Sequence, residues 1–77
     1  MTWTKIDRSA GLNGESTITY RGSDPRFIVQ SRKRAIPHAN GVGSWLHTTY
    51  HLIVNGREYA KTFYSLADAK EAAEGMT

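Results

Sequence analysis

The chain has 77 residues, no cysteine and a formal charge of +3. That excludes a disulfide-stapled fold, a thiolate metal cluster and more than one domain of ordinary size, about 100 to 150 residues. No apolar run approaches the roughly 20 residues of a membrane span, and the opening MTWTKIDRS lacks the apolar stretch of a secretion signal, so a soluble, unprocessed, cytoplasmic chain is expected.

In chain order, Trp3–Asp7 reads as a short strand with Trp3 as an anchor at the sheet edge. Ser9–Glu15, with two glycines and Asn13-Gly14, is a loop or turn. A two-residue turn at Asn13-Gly14 would set Asp7 against Tyr20 and misalign the apolar residues, so a longer loop is expected. Ser16–Arg21 and Arg26–Lys33 are rich in β-branched and aromatic residues and flank Gly22-Ser23-Asp24-Pro25, four residues of strong turn chemistry. With those four as the loop, Arg21 pairs with Arg26, Tyr20 with Phe27 and Ile18 with Val29. Residues 32–44, RKRAIPHANGVGS, combine a basic triplet with Pro37, Gly41 and Gly43 and read as a mobile basic loop between two hairpins.

Trp45–Val54 alternates as a strand, Asn55-Gly56 tolerates positive φ at both centres of a type I′ turn, and Arg57–Phe63 returns. A two-residue loop sets Leu52 against Tyr59, His51 against Ala60 and Thr48 against Phe63. At Ser65 the period becomes helical. Ser65 and Asp68 form an S-x-x-D cap, Gly75 suits the C-terminal end, and Leu66, Ala69, Ala73 and Met76 make a small-residue stripe that lets the helix lie close to a sheet.

The predicted fold is α+β, a single domain over residues 1–77 with one antiparallel sheet of four to five strands and one C-terminal helix packed on one face. Nine of the ten Lys and Arg precede Ser65, with only four of the seven carboxylates, so the sheet is basic and the helix acidic. A polyanion is then drawn to the sheet. The uncovered face carries Arg21, Arg26, Arg32, His47, Thr49 and His51, with Trp45 and Ile53 among them. No P-loop, nucleophile–base pair or cofactor motif is present. His47 and His51 lie four apart, about 13 Å along a strand, too far to share a metal ion.

Within residues 43–73, Gly43-Ser44-Trp45, Tyr50, Asn55-Gly56-Arg57, Lys61-Thr62-Phe63 and the Ser65-x-x-Asp68-Ala69 helix start resemble a DNA-binding module. It is the sheet-plus-helix module of plant AP2-type domains and of the arm-binding N-termini of phage and transposon integrases. That resemblance implies a sheet laid in the major groove and braced by the helix. The short cysteine-free build, the MTWTKI start and the SLADAKEAAE end also resemble small accessory proteins of actinobacterial phages. The expectation is a small non-catalytic phage protein with no cofactor that binds double-stranded DNA through Arg21, Arg26, Arg32, Lys33, Arg34, His47 and Thr49. The alternatives are a host protein docked on Trp3, Trp45, His51 and Ile53, or a homodimer that buries the open face.

Overall fold

The computed structural model describes residues 1–77. Five strands, β1 (Trp3–Ala10), β2 (Ser16–Gly22), β3 (Phe27–Pro37), β4 (Ser44–Val54) and β5 (Arg57–Phe63), form one antiparallel sheet in sequence order. The helix α1 (Leu66–Glu74) rests on β3, β4 and β5, so the α+β architecture is as expected. No helix is long and apolar enough to cross a membrane.

Strand alternation decides which residues meet α1. Phe27 and Val29 of β3, Leu52 of β4 and Phe63 of β5 close over Ala69 and Ala73, and these six form the buried core. Burying a Leu or Phe side chain contributes about 1.5 to 3 kcal/mol, so the helix end of the sheet carries most of the fold's stability. Ser65 caps α1, its side chain accepting from the Asp68 amide at 3.0 Å. Gly75 ends the helix in right-handed geometry (φ −69°) and not in the left-handed cap that glycine permits. Met76 is 38% exposed, and Ala72 takes its expected place against the core.

Several registers differ from the sequence reading. The β1–β2 connection is long, as expected: Ala10 pairs with Ser16, a 3₁₀ turn occupies Leu12–Gly14, and a bulge at Ile6 sets Asp7 against Thr19. In β2–β3, Tyr20 pairs with Val29, Ile18 with Ser31 and Arg21 with Ile28, two residues away from the expected pairing. The cause lies in the turn. Asp24 accepts from the Arg26 amide at 3.1 Å, which moves the loop one residue on and holds Arg26 outside the sheet. In β4–β5, the Asn55 (φ 53°) and Gly56 (φ 80°) turn forms, and Val54 faces Arg57 as expected. Beyond it β5 bulges opposite Leu52, so His51 faces Thr62 and Phe63 faces Tyr50, which seats Phe63 in the core. Both slips are by two, so every side chain keeps its face.

The largest correction concerns residues 32–44. They are not one loop: β3 and β4 pair over eleven residues, from Phe27↔Val54 to Pro37↔Ser44, leaving only His38–Gly43 as the connection. A backbone ladder of that length outweighs the loop-like composition.

Candidate nucleic-acid interface

β2 pairs with β3 only as far as Lys33, and β5 with β4 only as far as Tyr50. Arg34–Pro37 and Ser44–His47 therefore continue as a two-stranded ribbon past their neighbours. At about 3.3 Å per residue this ribbon runs roughly 13 Å. Its inner side is tied down by Glu15, whose carboxylate accepts from the Ala35 amide at 2.9 Å.

Arg21, Arg32 and Arg34 share the face turned away from α1, two of them two residues apart on β3. Arg21 is exposed and has no hydrogen-bond or ion-pair partner. Arg32 donates to Gln30 at 2.8 Å and pairs with Glu58. Gln30 in turn reaches Thr19 at 3.4 Å, which makes a polar line across the sheet. Arg34 donates to the carbonyls of Ser16 (3.0 Å) and Lys33 (2.9 Å) and to Thr17 Oγ1 (2.9 Å), clamping the start of β2 while its side chain stays exposed. Beside it, Ser9, Glu15 and Thr17 help line a shallow cavity of about 270 Å³.

Three expected site residues are placed elsewhere. Arg26 grips Asp24 through Nε (3.1 Å) and Nη2 (2.7 Å), and this hydrogen bonding holds the Asp24 carboxyl below its ordinary pKa. Lys33 has the parity of Ser31 and points to the helix-bearing side. Trp3 lies half-buried against the core, its ring edge 3.4 Å from where a Cβ on Gly22 would stand and its indole N–H buried without a partner, so it offers no docking surface.

On β4, Trp45, His47, Thr49, His51 and Ile53 line the open face as expected, and Ile53 sits between Ile28 and Glu58. Trp45 packs edge-on against His47 (5.3 Å, 74°), and His47 meets Tyr64 (6.0 Å, 54°), a residue the sequence reading did not single out. His51 Nε2 lies 2.8 Å from Thr49 Oγ1, and its Nδ1 lies 4.0 Å from Glu58. Burial, then the positive charge of Arg32, lowers the His51 pKa, with Glu58 opposing and Arg34 adding to the fall. No three His, Asp or Glu side chains gather in a metal-binding cluster.

A signal missed at the sequence level is an absence. No Asp or Glu occurs between Asp24 and Glu58, so the whole β3–β4 hairpin carries Arg32, Lys33, Arg34 and three histidines without a carboxylate. The width of the site also changes. Five strands about 4.8 Å apart are too broad for a DNA major groove about 12 Å wide, whereas a two-stranded ribbon enters one.

Comparison of the chain with protein-family models, with curated proteins and with solved structures finds no match. The functional reading therefore rests on the geometry above.

Proposed function

We propose that the chain is a non-catalytic double-stranded DNA-binding protein whose β3–β4 ribbon enters a groove. The supporting observation is the projecting ribbon with cations on both faces at its base, Arg32 and Arg34 on one and Lys33 on the other, in a hairpin free of carboxylates. Phosphates flank a groove on both sides, so cations on both faces of an inserted ribbon meet them. The Arg32–Glu58 pair does not oppose this role. An exposed ion pair is worth about 0 to 1 kcal/mol, and a phosphate replaces the carboxylate at little cost. Arg21 supplies a further phosphate contact, and His47 and Thr49 lie at the groove edge. The resemblance of residues 43–73 to the AP2 and integrase module supports DNA as the ligand and α1 as the brace, while the element that enters the groove here is the β3–β4 ribbon and not the sheet.

The test is titration of a short labelled duplex over a salt series. Four phosphate contacts give a log–log slope of about −3.6, roughly −0.9 per contact, and each of Arg21→Ala and Lys33→Ala makes the slope shallower by about one. Absence of duplex binding at low salt overturns the proposal. Affinity that stays flat with salt likewise overturns it.

A further inference from the structure

We infer that Trp45 and His47 on the open face of the ribbon, with Tyr64 beside its root, are a stacking platform for unpaired bases, so that the preferred ligand is a junction of double-stranded and single-stranded DNA; this rests on the nucleic-acid reading above and adds a ligand class to it. Trp45 and Tyr64, 45% and 71% exposed, flank His47 on the open face of the sheet. Aromatic rings of that size normally seek burial, and here three stand together on a face that α1 leaves bare.

Their mutual geometry bears on what they bind. Tyr59 lies nearly parallel, at 18°, to the core residue Phe63, with ring centres 6.4 Å apart. The Trp45–His47 and His47–Tyr64 pairs meet edge-on at 74° and tilted at 54°, so neither is a stack, and Trp45 and Tyr64 keep much of their surface exposed. An uncovered π-face takes any planar base, whatever its sequence.

The charges lie where a backbone would run. Across the ladder Arg34 faces His47 and Arg32 faces Thr49; the Arg32 guanidinium reaches across β4 to Glu58 and that of Arg34 turns to Ser16 and Thr17 of β2, so Arg32 is the cation beside the aromatic row and Arg34 the one beyond it. Aromatic side chains beside a cationic track are the working parts of a single-strand binding surface. Bases inside a duplex offer no face to this platform, because each face is already stacked on a neighbour. Trp45 and His47 lie on the ribbon itself and Tyr64 beside its root, so one strand leaving a duplex held on the ribbon passes over all three.

The experiment compares three fluorescein-labelled probes on the full chain: a blunt duplex, the same duplex with a short tail of unpaired thymidines, and the thymidine tail alone. A Trp3→Phe background makes Trp45 the single indole reporter. The tail is expected to tighten binding by at least about five-fold and to quench Trp45. Tyr64→Ala, outside the ribbon, removes that gain and leaves blunt-duplex affinity unchanged, and Trp45→Ala makes tailed and blunt duplex bind alike. Both side chains are exposed, and circular dichroism of each variant confirms the fold. Equal affinity for blunt and tailed duplex overturns the platform and leaves the duplex reading standing. Binding of the tail alone with no binding of the blunt duplex supports the platform and overturns the duplex reading. Failure of all three probes removes both.

Discussion

His51 is the residue on which burial and charge act together. It sits half-buried on β4, with Thr49 on Nε2, Glu58 across from Nδ1, and Arg32 and Arg34 on the neighbouring strand. Burial and the two arginines favour the neutral ring, so its folded-state pKa lies below the ordinary 6.5. As pH falls through about 6.5 the unfolded chain takes up a proton that the folded chain still refuses. Stability therefore falls as pH drops below that value and levels off once the folded ring protonates. Urea unfolding between neutral pH and about pH 5.5 is expected to show this decline. His51→Gln, which keeps a polar partner for Thr49, is expected to flatten it. An unchanged pH profile in that variant assigns the decline to other groups. Gly22 makes a second point at this scale. A Cβ there would stand 3.3 Å from the Asp24 carbonyl and 3.4 Å from the Trp3 ring, while the Met1 sulfur at 2.6 Å can swing aside, so Gly22→Ala is expected to cost about 1 kcal/mol, read as a lower urea midpoint.

Among the elements, α1 depends most on a single contact. It has nine residues, fewer than the roughly 12 to 15 below which an isolated helix is marginal, and its buried stripe is alanine. The Ser65 cap therefore matters more than in a longer helix. Ser65→Ala is expected to cost about 1 kcal/mol, a fall in Tm of about 4 to 8 °C for a domain of this size, with Ser65→Asp close to wild type. That cap was legible as S-x-x-D, and so were the Asn55-Gly56 turn and the alternation that places Arg21, Arg32, His47 and Thr49 on one face. Periodicity is a local property, and these are local facts. The two-residue slips in β2–β3 and β4–β5 were not legible, because an even shift leaves the hydrophobic pattern intact, and the choice between registers falls to the Asp24–Arg26 turn in the first and to seating Phe63 in the core in the second. Arg26 was misplaced for a related reason: alternation assigns it to β3, while Asp24 draws it back into the turn. The RKR run with Pro37 and two glycines resembled a connector, yet Pro37 closes the ladder at the strand end, where a missing N–H is tolerated.

At the scale of the whole molecule, the structure is elongated, 45 × 22 × 19 Å, and its core is confined to one end. The helix spans about 13 Å of that length. Eight of 77 residues are buried, and none of Arg34–Pro37 or Ser44–His47 is among them. Local opening free energy follows buried contacts, so the two ends differ in stability although they belong to one sheet. Amide hydrogen exchange is expected to be slowest in β3 and β4 between Phe27–Ser31 and Tyr50–Val54, and faster in the ribbon, whose ladder is as regular but has no helix behind it. This asymmetry matters for binding. On the proposed reading, a ribbon held by Glu15 and Arg34 but not backed by α1 adapts to a groove, while the braced end fixes Arg32 and Arg21 relative to each other. Added duplex is therefore expected to slow exchange in Arg34–Pro37 and Ser44–His47 and to leave α1 unchanged. If the ribbon amides exchange as slowly as those of the core before any DNA is added, the ribbon is as firmly held as the braced end. If duplex protects α1 in place of the ribbon, the contact surface lies on the acidic side of the molecule and the ribbon is not the reading element.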